Sequence, residues 1–136
     1  MQTVDFYNFS EDDKYETNRK ISEREKISKD IITKNLFENY NFLEIGCGNG
    51  VFLKYIDDDI NYKINYTGLD YSQFQLDIFK NRIFKNNHKI QLLKCNIENT
   101  LPIEDNSMDF LYIGEVIEHL YNPDFLIQES FRVLKK

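Results

Sequence analysis

Apolar residues along this chain gather into short compact runs separated by longer helical stripes. Four runs have strand length: Asn41–Ile45, Tyr66–Asp70, Ile90–Cys95 and Asp109–Ile113. Between them the apolar spacing lengthens to that of a helix. Ser22 and Glu25 make a capping box ahead of a predicted helix reaching Glu38, with Ile27, Ile31 and Leu36 as its stripe. A short helix follows through Val51, Phe52, Leu53 and Tyr55. Ser72 and Gln75 then open a helix carrying Leu76, Ile78, Phe79, Ile83 and Phe84. Asn122 before Pro123 starts the last one, which carries Phe125, Leu126, Phe131 and Leu134. Strands alternating with helices imply an α/β fold, a doubly wound parallel sheet with right-handed crossovers. We read one domain, with residues 1–40 an N-terminal arm and helix and residues 41–136 the α/β core. Residues 1–16 are polar but carry Phe6, Tyr7, Phe9 and Tyr15, which reads either as a loosely packed arm or as an aromatic lid.

Chemistry concentrates where the first strand ends. Phe42-Leu43-Glu44-Ile45-Gly46-Cys47-Gly48-Asn49-Gly50 runs an apolar strand into three glycines at alternate positions. Such a turn lets a ligand approach the backbone without a Cβ in the way. Asp70 closes the second strand. A glycine turn after one strand and an acid after the next is how a doubly wound sheet holds a nucleoside. A dinucleotide turn needs G-x-G-x-x-G, which would put glycine at Val51, and the P-loop needs Gly-Lys-Ser/Thr. Both patterns fail here.

Composition narrows the setting. With 136 residues the chain can bury a core. Its 41% hydrophobic and 29% charged residues are ordinary for a globular domain. A formal charge of −6 and the lack of an arginine-rich stripe argue against a nucleic-acid partner. No apolar run suits a spanning helix, the acidic start (Asp5, Glu11, Asp12, Asp13) does not suit a targeting peptide, and Cys47 and Cys95 read as reduced thiols. A cytoplasmic location is the expectation.

The spacing G-x-G-x-G after Leu-Glu-Ile resembles motif I of the class I S-adenosylmethionine-dependent methyltransferases. The second half extends the likeness. Asn96-Ile97-Glu98-Asn99-Thr100-Leu101-Pro102-Ile103-Glu104-Asp105-Asn106-Ser107-Met108-Asp109, then Glu115-Val116-Ile117-Glu118-His119-Leu120, then Arg132-Val133-Leu134-Lys135-Lys136, resemble blocks of the type-11 methyltransferases, a group that includes quinone-biosynthesis enzymes. The resemblance runs from about residue 30 onward. It implies a Rossmann-like sheet of order 3-2-1-4, S-adenosyl-L-methionine as cofactor and a small-molecule acceptor.

It also implies roles. Gly46, Cys47, Gly48 and Gly50 form the turn beside the methionyl and ribose portions, and the following helix N-terminus favours the donor's carboxylate. Glu44 faces the donor's amino group, or is a structural carboxylate. Asp70 accepts from the ribose hydroxyls. Tyr71 and Ile97 flank the adenine, with a plain core role for Ile97 as the other reading. Asn96 stands where the family has an Asp, and its carbonyl can still accept from the adenine amine. Glu115 lies near the donor. No catalytic residue is assigned. Glu115, Glu118 and His119 resemble a magnesium set found in some relatives, but His is an unusual magnesium ligand and we assign no metal.

The family's sheet continues beyond four strands, whereas this sequence ends at Lys136. The sequence therefore reads as a fragment, a truncated gene product or one half of something larger, with strand 4 at an open edge that invites self-association. Two other readings stand beside the enzyme: a non-catalytic pairing module, and a metal-assisted O-methyltransferase acting on RNA or a quinone precursor.

Overall fold

Four strands form one parallel sheet in the order β3-β2-β1-β4 in the computed structural model, which describes residues 19–136. The strands are β1 (Asn41–Ile45), β2 (Asn65–Asp70), β3 (Lys89–Lys94) and β4 (Phe110–Ile113). The helices are α1 (Glu23–Asn35), α2 (Val51–Asp59), α3 (Gln73–Lys80) and α4 (Pro123–Val133). A 3-10 turn, Ile117–His119, follows β4. The aromatic lid expected in residues 1–16 lies outside the described residues.

Side-chain alternation divides the core in two. Phe42, Tyr66, Ile90, Leu92, Phe110 and Tyr112 face a cluster with residues of α1, α2 and α3. Leu43, Ile45, Leu69, Leu93, Leu111 and Ile113 face the other way, onto Leu126 and Val133 of α4. Helices therefore cover both faces, as a parallel sheet requires.

Local signals formed as the residues dictate. The Ser22–Glu25 capping box is present in full, and Ser72 Oγ accepts the Gln75 N–H. Three departures are physical. α1 buries Glu25 and Ile32, while Ile27 and Ile31 are 62% and 56% exposed. Two of the three expected stripe residues thus face solvent, while Leu36 is buried as expected; the inner face also takes Glu25, whose two oxygens Arg19 forks (2.6 and 2.9 Å). α3 stops at Lys80, and Ile83 is 84% exposed beyond it. The chain there is claimed by Asp57, which accepts the backbone N–H groups of Lys85 and Asn86. The residues of β4 are only half-buried, since among the described residues β4 pairs with β1 alone.

Asp57 also ties α2 to the entry of β3. Its side chain and that of His88 are fully buried, 2.9 Å apart. The Ile64 N–H donates to His88 Nδ1, so the neutral ring donates from Nε2 to Asp57. Burial lowers the His88 pKa below its usual value, against the pull of Asp57. The ring is a structural fastening.

From β1 the chain builds outward through β2 to β3, then crosses back to lay β4 on the other side of β1, so the strand order reverses at β1. The carboxyl ends at such a reversal leave a crevice, the usual place for a ligand in an open α/β sheet.

Candidate donor-binding site

A cavity of about 270 Å³ occupies that crevice. Its floor is the glycine turn, held in one shape by Asp70. Gly46, Gly48 and Gly50 all have positive φ, at 80°, 54° and 84°. Asp70 Oδ2 accepts the Gly48 N–H (2.8 Å) and Oδ1 accepts the Ser72 N–H (2.9 Å). Asp70 therefore clamps the turn to the start of α3, while the cap itself falls to Ser72. Each oxygen keeps a second lone pair. Burial raises the Asp70 pKa, and the bonds from the Ser72, Gly48 and Tyr71 backbone work against that rise.

The glycines differ in what they face. A Cβ on Gly50 would lie 2.8 Å from the Phe79 ring, so that glycine serves helix packing. A Cβ on Gly48 would meet nothing closer than Gln75 Oε1 at 3.9 Å. Its open side is the cavity.

Glu44 comes from the inner face of β1, in register with Gly68 on one side and Tyr112 on the other. It is 3% exposed and accepts the Tyr66 hydroxyl at 2.6 Å. Burial pushes its pKa up to about 8, despite the Tyr66 bond, and the nearby Asp70 charge adds to the rise. Glu115 follows β4 with a φ of 51°, a backbone region that costs a non-glycine residue roughly 1–3 kcal/mol. Strain of this kind gathers at functional sites, and Glu115 lines the cavity.

Carboxylates dominate the lining. Glu25, Glu44, Asp70 and Glu115 stand against Arg19 and His119. Arg19 and Glu25 entered from the start of α1, and only tertiary packing reveals them there. Tyr112 was also missed, though strand alternation and the 3-2-1-4 order together place it beside Glu44. It stacks on Phe52, with ring centroids 4.5 Å apart. Cys47 lines the cavity, but burial raises its thiol well above the usual range, and Cys95 is pushed up to about 11 by burial and Asp70. Neither suits nucleophilic work at neutral pH.

Other sequence candidates lie outside this cavity. Lys94 Nζ sits 5.5 Å from the centre of the Tyr71 ring. Asn96 Oδ1 accepts the Glu98 N–H at 3.0 Å, shaping the turn after β3. Ile97 is buried in the α4-side core. His119, by contrast, borders the cavity, with its Nε2 3.7 Å from Glu118 Oε1. Among the described residues no three His, Cys, Asp or Glu side chains gather as a metal ion would need. No described helix is long and apolar enough to cross a membrane.

A parallel sheet of this order, with a glycine turn after β1 and an acid after β2, is the Rossmann-like fold of the class I methyltransferases. The methyltransferase-domain family matches residues 43–136, and the chain belongs to that family, the S-adenosylmethionine-dependent class I group. The chain is 32% identical over 105 residues to a demethylmenaquinone methyltransferase of Staphylococcus epidermidis, covering 76% of this chain and 42% of that protein. A demethylmenaquinone methyltransferase of Listeria monocytogenes is 30% identical over 98 residues, 70% of this chain and 40% of the relative. The chain thus spans about two fifths of these relatives' length. Among solved structures, an S-adenosylmethionine-dependent methyltransferase from Aquifex aeolicus superposes with a TM-score of 0.71 at 22% identity, covering 94% of this chain and 69% of that one. The [4+2]-cyclase SpnF gives 0.68 at 25%, covering 87% and 44%.

Proposed function

We propose that this chain binds S-adenosylmethionine at the carboxyl ends of β1 and β2 and presents its methyl group to a small-molecule acceptor. The acid-lined cavity above the open face of Gly48 carries this reading. S-adenosylmethionine brings an ammonium and a sulfonium, which suit Asp70 and Glu115, whereas a dinucleotide brings a pyrophosphate that these carboxylates would repel.

The residues present fit that group. The Gly48 backbone admits close approach. Asp70, with lone pairs to spare, receives the ribose hydroxyls. Glu44 receives the ammonium, and Glu115 lines the same cavity. Tyr71, Asn96 and Ile97, at the ends of β2 and β3, border the adenine end, outside the present cavity. When bound, the sulfonium supplies an already activated methyl, so the protein's task is alignment and exclusion of water. Such positioning supplies roughly 7–11 kcal/mol in favourable cases. His119 borders the same space and is the base within reach should an acceptor need to lose a proton.

Glu44 gives this reading a proton signature. Its folded-state pKa is about 8 against the usual 4.5, so the empty protein holds a proton there at neutral pH. An ammonium ion requires the carboxylate, so binding must release that proton. Below pH 8 uptake of the donor is expected to release up to one proton, and affinity to rise as pH climbs toward 8. Calorimetry at pH 7 in buffers of different ionisation enthalpy measures it. Equal heats in all buffers would remove Glu44 from the ammonium site.

The relatives' names make a demethylated quinone the first acceptor to try. Transfer of label from methyl-labelled S-adenosylmethionine to a soluble demethylmenaquinone analogue tests it, and label transferred to bulk RNA instead would reverse the choice of acceptor. Among the described residues β4 pairs with β1 alone, which favours a second reading, in which the chain acts as a pairing module. Ile127 and Phe131 of α4 are 39% and 66% exposed. Sedimentation over a dilution series is expected to show self-association, and a compact monomer at every concentration would end that reading.

A further inference from the structure

We infer that Arg82 is a positioning residue for donor binding, acting through the Asn49–Gly50 peptide of the glycine turn. The inference rests on the S-adenosylmethionine reading above. Arg82 lies just past α3 and contributes nothing to the lining of the donor cavity. Its Nε–H donates to the Asn49 carbonyl at 2.9 Å, and Nη2 lies 3.5 Å from Asn49 Oδ1. The helix that starts on Asp70's clamp therefore returns, at its far end, to grip the same turn from behind.

What the grip controls follows from peptide geometry. In a trans peptide the C=O and N–H point in opposite directions. The Asn49 carbonyl points to Arg82, and the Gly50 N–H across the same bond points to the Cys47 carbonyl at 3.2 Å. The plane is pinned at both ends. Asn49 is buried, and its Oδ1 accepts the Val51 N–H at 3.3 Å, so the start of α2 is set by the same residue. Without Arg82 the carbonyl would lose its charge-assisted partner in a buried setting. Glycine follows that carbonyl, and glycine tolerates both signs of φ, so the plane can rotate at little steric cost. Rotation would move the Gly50 N–H and the first turn of α2, where the donor's carboxylate is held. Arg82 thereby keeps the turn in its binding shape before the donor arrives.

Arg82→Met, which keeps the aliphatic stem, is expected to weaken S-adenosylhomocysteine binding about tenfold, the lower end of what one charge-assisted hydrogen bond is worth. Arg82→Lys keeps a charge and one donor and should fall between. Turnover at saturating donor should be unchanged, because Arg82 touches neither reactant, so the effect appears in the donor's KM and not in kcat. Hydrogen exchange at the Gly50 amide should quicken in Arg82→Met relative to core amides. Arg82→Met with wild-type affinity and Gly50 exchange, whatever its melting temperature, would reduce Arg82 to a fold-stabilising residue and overturn the inference. If Arg82→Met does not fold, Arg82→Lys with affinity equal to wild type does the same. A wild-type protein that binds no S-adenosylhomocysteine would instead overturn the donor reading beneath it.

Discussion

Replacing Gly48 with alanine is expected to abolish donor binding while the protein stays folded. The φ of 54° at this position costs an alanine about 1–2 kcal/mol, which a domain of this size survives. The new Cβ meets no protein atom nearer than 3.9 Å, so the fold has no other reason to object. It does stand in the cavity, where the donor must lie against the backbone. A loss of at least about a hundredfold in affinity is expected. Gly46 and Gly50 make the contrast. A side chain at Gly46 would strike Val116 and one at Gly50 would strike Phe79, so those variants lose stability along with binding. Calorimetry with S-adenosylhomocysteine, alongside urea unfolding, separates the two kinds. A folded Gly48→Ala with wild-type affinity would move the donor off the turn.

Asp70→Ala is expected to lose both binding and stability. The substitution strands the Gly48 and Ser72 N–H groups that the carboxylate now accepts. The Ser72 N–H is buried, and a buried unpaired donor costs about 1–3 kcal/mol, while the Gly48 N–H borders the cavity and can turn to water, so a loss of about 1–3 kcal/mol is expected. The ribose hydroxyls lose their acceptor as well, and affinity should fall at least about tenfold. Asp70→Asn should not rescue the turn, because its amide would present N–H to one of the two backbone N–H groups. Urea unfolding and the same titration read both effects. Unchanged affinity in a folded Asp70→Ala would leave Asp70 a turn clamp only.

The sheet was legible because its signals are local. Four apolar runs, three caps and a glycine turn each state their own conformation, and their alternation dictates parallel strands. Their bounds shifted by a residue in β2, β3 and β4, where pairing with a neighbour decides the end. α1 was misread at its face, because Ile27 and Ile31 mark a stripe as well as Ile32 does. The Arg19–Glu25 pair, formed outside any helical period, lets an acid share the inner face with Ile32. The donor site divides the same way. Residues contributed by β1, the turn and β2 are contiguous with their motifs. Arg19, Glu25 and Tyr112 reach the cavity from other elements, and Arg82 reaches the turn from behind, with no spacing in the sequence to announce them.

The central claim is that this crevice takes a cationic sulfonium nucleoside. Titration calorimetry of the purified chain with S-adenosylmethionine, S-adenosylhomocysteine and NAD tests it most directly. The expected result is one-to-one binding of the first two, lost in Gly48→Ala, with no heat from NAD. Binding of NAD in preference to S-adenosylmethionine, or binding that Gly48→Ala leaves intact, would contradict the account.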